Sequence, residues 1–260
     1  MRKLITYLKK RVKAINSILE KPADEYSTRT FHELRVEIKK VKALFDLINH
    51  CSEEFEFEKH FKPLKKIYKQ AGKVRDLQLE EQLLDKYQSF FALSEYRSKL
   101  SSKLLEEEIS YFTTINQDII DQLDNKFKKL TSLLDQIHKK DVNSYLEKKR
   151  KNIQKLLSEE SLKAYELHNL RKQIKIYDYN QKSFSSKKEY HPTSNYDQLS
   201  IYLGKWHDCQ VFINHLNIIT EAGKLKSEEI LQIENLRSKI SSRRKRLFCK
   251  IEDIILQISL

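Results

Sequence analysis

The chain has 260 residues, of which only three are glycine, three are proline and 33% are charged. An ordinary soluble protein of this length has roughly 18 glycines and about 13 prolines, so few residues remain for the tight turns of a sheet protein. This composition excludes collagen-like and linker-like chains. Fifty Lys and Arg residues against 37 Asp and Glu residues give a net charge of +13, while 39% hydrophobic residues suffice for a core. We therefore expect a folded, basic, all-α protein.

The sequence also bears on location. No run of about 18 apolar residues is present, which predicts that no segment crosses a membrane. Lys and Arg interrupt residues 1–20 every few positions, unlike a secretory signal, and the helical apolar spacing favours a first structural helix over a basic targeting helix. Three scattered cysteines, Cys51, Cys209 and Cys249, indicate a reducing compartment. We expect a cytoplasmic protein without a bound metal or cofactor.

Apolar periodicity predicts helices along the whole chain. The third of them is expected to break near Gly72 and to carry Pro63 in its first turn, and segment 182–195 is expected to be a mobile loop. Further breaks are expected at Lys21-Pro22, His191-Pro192 and Ala222-Gly223. In chain order the predicted helices are 3–20, 28–50, 61–89, 93–115, 117–138, 140–157, 162–184, 196–220 and 225–257.

An internal repeat organises these helices. Three patterns recur in the same order, 132 to 140 residues apart, and a weaker match pairs Thr6-Tyr7-Leu8 with Ser144-Tyr145-Leu146. The repeat predicts one domain over 1–260, made of a first half (1–116), a connecting helix (117–138) and a second half (139–260). Two four-helix bundles related by a pseudo-twofold axis are the expected architecture. The matched segments are FHELRVEIK (31–39) with LHNLRKQIK (167–175), GKVRDLQ (72–78) with GKWHDCQ (204–210), and RSKLSSK (97–103) with RSKISSR (237–243).

The first repeated segment places basic residues in a stripe along its helix. At 100° per residue, with His32 at 0°, this stripe occupies about 280° to 360° and the apolar residues about 180° to 240°. The second half repeats the order His, Arg, Lys, although Asp178 occupies the position that corresponds to Lys42. The two stripes are His32, Arg35, Lys39 and Lys42 in the first half, and His168, Arg171 and Lys175 in the second.

Two cationic stripes brought together by pseudo-symmetry repel each other unless an anion lies between them. Arg offers a fork of donors to phosphate oxygens, Lys a point charge and His an N–H donor, so the stripes suit a chain of phosphates. Solvated charges on helix surfaces are the alternative interpretation for any single lysine. The aromatic residues, such as Phe45, Phe61 and Tyr68, occupy apolar helical positions and are interpreted as core, which leaves no platform for stacking bases.

The paired glycine segments extend the basic surface. Glycine inside a helix costs up to about 1 kcal/mol relative to alanine, so its repetition at Gly72 and Gly204 indicates a bend or a close approach between helices. The segments lack the GxxxxGK[ST] pattern of a phosphate-binding P-loop. Lys73, Arg75 and Lys205, together with His207, are expected to add positive charge. Asp76 and Asp208 are interpreted either as partners that orient neighbouring basic side chains or as members of exposed ion pairs.

Two copies of H-x-L-R-x-x-I-K, each followed by Gly-x-x-x-Asp, resemble the CHAD family, helical domains named for their histidines. The resemblance covers essentially the whole chain and implies a non-enzymatic module that binds inorganic polyphosphate in a basic central pore between two helical halves. It also implies polyphosphate granules as a partner. Carried across by position, the pore residues are the two stripes, and Gly72, Arg75 and Asp76 match GxxRDxx. His207 replaces a more typical Asn, and Asp178 and Tyr179 replace basic residues.

Other functions remain as alternatives. Non-specific binding to the backbone of RNA or DNA is supported by charge alone. An accessory role beside a triphosphatase domain is a further alternative, because CHAD-like domains are often joined to triphosphatase domains, which bind metal through an ExExK motif on a strand. Residues Glu54–Lys59 resemble this motif, but their Lys is displaced by one residue and would face the other side of a strand. We therefore interpret the segment as a loop or a frayed helix end. We expect that the protein has no catalytic residue, does not bind a membrane and takes a polyanion as its ligand. The predicted phosphate-binding residues are His32, Arg35, Lys39, Lys42, Lys73, Arg75, His168, Arg171, Lys175 and Lys205.

Overall fold

The structure is a computed structural model that describes residues 2–87, 93–159, 162–184, 194–221 and 225–259. These residues form nine α-helices and one 3₁₀ turn, Ala23–Glu25, and contain no strand. The predicted all-α class is confirmed. The helices are α1 Arg2–Leu19, α2 Thr28–Cys51, α3 Phe57–Tyr87, α4 Ser94–Thr114, α5 Gln117–Gln136, α6 Lys139–Leu157, α7 Ala164–Phe184, α8 Ser194–Glu221 and α9 Ser227–Ser259.

The start of α2 is fixed by a capping box. The Ser27 side chain accepts a hydrogen bond from the Thr30 backbone N–H, and the Thr30 hydroxyl accepts one from the Ser27 backbone N–H. Such a cap stabilises a helix by about 1 kcal/mol because it satisfies N–H groups that have no partner inside the helix. The cap sets where α2 begins, and His32 and Arg35 follow within its first two turns.

Helix α3 differs from its prediction in two ways. It begins at Phe57, four residues earlier than expected, so Pro63 lies inside the helix rather than in its first turn. The helix also continues through Gly72, where a break was predicted. Glycine lowers helix propensity but does not by itself end a helix when the flanking residues are packed, and Ala71 and Val74 are both fully buried here. In the segment that resembles ExExK, Glu54, Phe55 and Glu56 form turns and irregular backbone and residues 57–59 begin α3, so it spans a loop and a helix start and contains no strand.

Some predictions fall partly outside the described residues. Of the expected loop 182–195, residues 182–184 belong to α7 and residues 194–195 belong to α8, whereas 185–193 lie outside the described part of the chain. The expected breaks at His191-Pro192 and Ala222-Gly223 lie outside it as well.

The chain divides into two compact units that are not continuous in sequence. Unit 1 comprises Met1–Asp76, Leu105–Asn152 and Lys175–His191; unit 2 comprises Leu77–Leu104, Ile153–Ile174 and Pro192–Leu260. Each unit takes residues from both halves of the sequence repeat. The units are therefore a different division from the repeat, and the halves 1–116 and 139–260 stay a prediction.

The core of unit 1 includes the apolar face predicted for α2. Leu34, Ile38, Val41 and Phe45 are all fully buried, as the helical spacing predicted. The Asn180 amide is also fully buried and donates to the Ala43 carbonyl oxygen at 2.7 Å and to the Tyr145 hydroxyl at 3.0 Å. These bonds join α7 to α2 and α6. Because α2 is held on its apolar side, its basic residues must lie on the remaining faces.

In unit 2, α8 packs extensively against α9, with fully buried Leu203, Leu216, Ile240 and Ile251 among its core residues. The buried Glu229 carboxylate of α9 accepts hydrogen bonds from the backbone N–H groups of Glu95, at 2.8 Å, and Tyr96, at 3.1 Å. A carboxylate at a helix N-terminus accepts hydrogen bonds from N–H groups that have no partner inside the helix, and its negative charge interacts favourably with the positive end of the helix dipole. Glu229 of α9 therefore stabilises the start of α4. Across the described residues, no helix combines the length and the apolarity that crossing a membrane requires.

Candidate anion-binding site

In unit 1, the Arg35 side chain lies against α3. Its guanidinium donates hydrogen bonds of 3.4 Å each to the Tyr68 carbonyl oxygen and the Tyr68 hydroxyl, and its central carbon lies 4.5 Å from the centre of the Tyr68 ring. Asp76 Oδ1 is 4.0 Å from Arg35 Nη2. Tyr68, Gly72 and Asp76 are spaced four residues apart and so line one face of α3. The three residues form a cradle for a side chain that is only 17% exposed.

Gly72 makes this placement of Arg35 sterically feasible. A Cβ atom built on Gly72 would overlap Arg35 Nη1, so any larger residue at this position requires the guanidinium to move. The prediction for Gly72 allowed either a bend or a close approach, and the structure has a close approach by a side chain. The orienting role considered for Asp76 agrees with its position beside Arg35.

Positive charge surrounds His32 at the same end of α2. Burial lowers the pKa of His32 below its usual value, and the charges of Arg75, Lys39 and Arg35 lower it further, while Glu33 opposes them. A neutral imidazole among cations marks a location where added positive charge is unfavourable and added negative charge is favourable. His32, Arg35, Lys39 and Arg75 are therefore brought together, as the sequence predicted, although Arg75 lies on α3 and the others lie on α2.

The remaining two basic candidates of unit 1 differ from each other. Lys42 is exposed, and its ammonium lies 5.6 Å from the centre of the Phe61 ring. Lys73 instead forms a 3.1 Å ion pair with Glu107 of α4, whose carboxylate also accepts a 3.1 Å hydrogen bond from Gln70. The charge of Lys73 is thus neutralised locally by a residue that the sequence pattern did not connect with it.

In unit 2, two histidines lie side by side. The ring centres of His168 on α7 and His207 on α8 are 4.9 Å apart. Burial lowers the pKa of His168, and the charges of Lys172 and Arg171 lower it further. Arg171 Nε is buried and has no hydrogen-bond acceptor among the described residues. These residues give unit 2 its own group of donors, in which His207 takes the place that Arg75 has in the repeat.

The glycine of the second repeat has no such side chain over it. Among the described residues, no side chain outside the immediate chain neighbours lies within 4 Å of a Cβ built on Gly204, so Arg171 is not cradled there as Arg35 is at Gly72. Lys205, the next residue, lies with its ammonium 5.5 Å from the centre of the Tyr202 ring. The last residue of the second stripe, Lys175, is assigned to unit 1, and Asp178, one turn further along α7, forms a 2.7 Å ion pair with Lys182.

Two tyrosines that contact the basic residues were not predicted from the sequence. Tyr68 was interpreted as core, but it is only half-buried and its ring and hydroxyl contact Arg35. Phe45 and Phe61, interpreted in the same way, are indeed buried. Tyr202 lies beside Lys205 and was not singled out. A signal for Tyr68 is its position one helical turn before Gly72, which places it on the face that Arg35 contacts.

What these clusters can do chemically is bind anions. Guanidinium, ammonium and imidazole donors converge within each unit, and the described residues contain no group of three or more His, Cys, Asp or Glu side chains placed to hold a metal ion. Cationic donors on rigid helices bind phosphate oxygens with little loss of side-chain freedom, particularly where a guanidinium is already fixed in position.

Comparison with known proteins places the fold. A sequence model of the CHAD domain matches residues 6–217, which is most of the chain. Comparison with curated proteins gives no significant match. Two solved structures are similar to this chain. The crystal structure of the CHAD domain from the plant Ricinus communis has 14% sequence identity and a TM-score of 0.80, and the alignment covers 98% of this chain and 90% of the Ricinus chain. PptA from Streptomyces chartreusis has 9% sequence identity and a TM-score of 0.74, and the alignment covers 97% of this chain and 98% of the PptA chain.

Proposed function

Because this chain belongs to the CHAD domain family, we propose that it is a non-enzymatic module that binds inorganic polyphosphate through its basic residues. The resemblance found in the two H-x-L-R-x-x-I-K segments is confirmed by the family match. Polyphosphate is a flexible chain with a negative charge on every unit and no bases, so recognition depends on cations at short intervals rather than on stacking surfaces. The clusters around Arg35 and Arg171 provide such cations.

One observation carries the proposal: Arg35 is fixed in its cradle while cations surround it. The guanidinium is held by Tyr68 and Asp76, so its orientation is set before a ligand arrives. Lys39 and Arg75 act, together with Arg35, on the same neighbouring histidine, His32. A phosphate oxygen placed among these groups neutralises their mutual repulsion, which makes binding favourable.

Non-specific binding of nucleic acid is the competing function, because a protein with a charge of +13 binds any polyanion at low salt. A competition assay separates the two. Labelled long-chain polyphosphate is bound at about 150 mM salt, where weak electrostatic binding is largely screened, and is challenged with unlabelled polyphosphate or with single-stranded RNA of equal total charge. We expect displacement by polyphosphate only. Equal displacement by RNA would contradict the proposal.

The residues are tested by replacing Arg35 and Arg171 together with alanine. We expect affinity for polyphosphate to fall by about a hundredfold, which corresponds to two charge-assisted contacts of about 1.4 kcal/mol each. Helicity measured by circular dichroism should be retained, since the arginines lie outside the apolar core. The matched control is Arg29→Ala and Arg150→Ala, which removes two largely exposed arginines that pair with nearby acids on their own helices. An affinity equal to that of the control variant would exclude the two arginines from the site.

A further inference from the structure

Helix α9 carries a basic surface that the predicted site does not include. Residues 235–251 contain seven Lys and Arg residues and no Asp or Glu. At 100° per residue, four of these cations fall within about 60° of one another and follow one line of the helix over about 16 Å. We call this line the α9 stripe; it comprises Lys239, Arg243, Arg246 and Lys250.

The α9 stripe borders the buried face of its helix. Leu236, Ile240 and Ile251 are fully buried and define that face, which lies about 80° from the stripe. Lys239, Arg246 and Lys250 are exposed, and the part of the chain that the structure describes gives them no ion pair. Two other arginines of the segment form hydrogen bonds with α8: Arg237 donates to Asn217 at 3.2 Å and Arg244 to Gln210 at 2.5 Å.

Two tyrosines connect the stripe with other cations of unit 2. The Tyr202 ring centre lies 5.6 Å from the Lys250 ammonium and 5.5 Å from that of Lys205, a predicted phosphate-binding residue. Two turns earlier in α9, Arg243 donates a hydrogen bond to the Tyr87 hydroxyl. Ammonium groups attracted to one aromatic ring are held near each other despite their like charge. Lys205 and the α9 stripe therefore form one continuous basic surface within unit 2.

The predicted repeat does not account for this charge. RSKLSSK in α4 matches RSKISSR in α9, and past that match the two helices diverge. Glu106 in α4 corresponds to Arg246, and Ser110 corresponds to Lys250. A helix in the equivalent position thus carries an acid and a hydroxyl where α9 carries two cations. Since the repeat pattern does not require cations at these positions, the basic residues of α9 call for a functional explanation.

We propose that the α9 stripe binds a further length of the same polyphosphate chain that contacts Lys205, so that the protein prefers long chains to short ones. This inference rests on the proposed function. Within unit 2, a short polyphosphate occupies only the cluster around Arg171, whereas a long chain continues over Tyr202 and along α9. Each added contact neutralises one more phosphate and releases its counterions, so the gain depends on chain length and on salt.

The test uses the full chain and a variant with Lys239→Glu, Arg246→Glu and Lys250→Glu, which leaves Arg243 and its bond to Tyr87 intact. The matched control is Lys9→Glu, Lys10→Glu and Lys13→Glu on α1, which changes the net charge equally at exposed positions of unit 1. Affinities are measured for tripolyphosphate, long-chain inorganic polyphosphate and single-stranded polyuridylate over a range of salt concentrations, and circular dichroism checks that both variants are folded.

We expect the α9 variant to lose about tenfold in affinity for long-chain polyphosphate and less than about twofold for tripolyphosphate. The slope of log affinity against log salt for the long chain should fall by about two, as for three lost contacts with a single-stranded polyanion. The control should lose much less with the long chain. Equal losses in the two variants would overturn the inference, as would a loss confined to polyuridylate. If the unmodified protein binds neither form of polyphosphate, the proposed function fails, and the inference fails with it.

Discussion

The guanidinium of Arg35 lies directly over the backbone of Gly72, at the only point of its helix face where no side chain intervenes. The same guanidinium donates to the carbonyl oxygen of Tyr68, one turn before the glycine. Because Gly72 of α3 has no side chain, it leaves the space that the Arg35 guanidinium of α2 occupies. The predicted repeat pairs Gly72 with Gly204, and in the described part of the chain no side chain approaches a Cβ built on Gly204 within 4 Å.

Because a side chain lies over Gly72 but not over Gly204, we expect the same substitution to have different effects at the two glycines. Gly72→Ala should lower affinity for polyphosphate by about tenfold, because the new methyl group displaces the guanidinium from Tyr68, and such a displacement removes about 1.4 kcal/mol of oriented binding. Helix propensity favours alanine by up to about 1 kcal/mol, so the free energy of unfolding should not fall greatly. Titration calorimetry and urea denaturation measure the two quantities.

Gly204→Ala is the matched control. Its methyl group enters open space, so we expect unchanged affinity and an increase of about 0.5 to 1 kcal/mol in the free energy of unfolding. Equal affinities for the two variants would mean that the position of Arg35 over Gly72 does not matter for binding.

Two lysines predicted from the sequence should differ in their contribution. Lys42 is exposed and lies beside the Phe61 ring, whereas Lys73 is paired with Glu107 at 3.1 Å. Lys42→Ala should lower affinity about threefold and reduce the salt slope by about one, as expected when one cation that contacts a phosphate is removed. Lys73→Ala should change both quantities less than Lys42→Ala does, because the Lys73 ammonium is held by the Glu107 carboxylate rather than available for a direct phosphate contact. The comparison uses binding titrations at several salt concentrations; a larger loss for Lys73→Ala would contradict the assignment.

The sequence carried enough information to predict the faces of α2 but not the contacts between α2 and α3. Leu34 and Ile38 are buried because an apolar residue every three or four positions forms one face of a helix, and the position of Arg35 beside that face follows from the same spacing. Tyr68 was misassigned to the core because it lies at the edge of the apolar sector of α3. Whether such a residue is buried depends on the distance and angle between two helices, which a helical period does not encode.

The pairing of Lys73 with Glu107 illustrates the same limit. The two residues are 34 positions apart and lie on different helices, so no local pattern connects them. The α9 stripe is a different case, since its spacing is visible in the sequence. The repeat does not reveal it, because the match RSKISSR ends at residue 243 and the additional cations lie mainly beyond that point.

The buried amide of Asn180 should be important for the stability of unit 1. Asn180→Ala removes its hydrogen bonds to the Ala43 carbonyl and the Tyr145 hydroxyl and leaves a cavity where α2, α6 and α7 meet. We expect the free energy of unfolding to fall by about 2 to 3 kcal/mol, measured by urea denaturation. The control Arg150→Ala breaks an exposed ion pair with Glu147 and should cost less than about 0.5 kcal/mol. Similar losses in the two variants would show that the network contributes little.

The histidines predict a pH dependence of binding. In the free protein, burial and neighbouring cations hold the pKa values of His32 and His168 below the ordinary value of 6.5. A phosphate oxygen that accepts a hydrogen bond from the imidazolium raises these pKa values, so binding takes up protons. Affinity should therefore increase as pH falls, and because the free-state pKa values are lowered, the increase should continue below pH 6.5.

This prediction is checked by titrations between about pH 8 and pH 5, with His32→Gln and His168→Gln together as the control that keeps a side chain able to form hydrogen bonds but does not titrate. The profile of the double variant should be nearly flat, and its affinity near pH 8 should resemble that of the unmodified protein. Folding must be monitored in parallel, since a histidine with a lowered pKa reduces stability as pH falls below about 6.5. Identical slopes for the two proteins would place the histidines outside the contacts with phosphate.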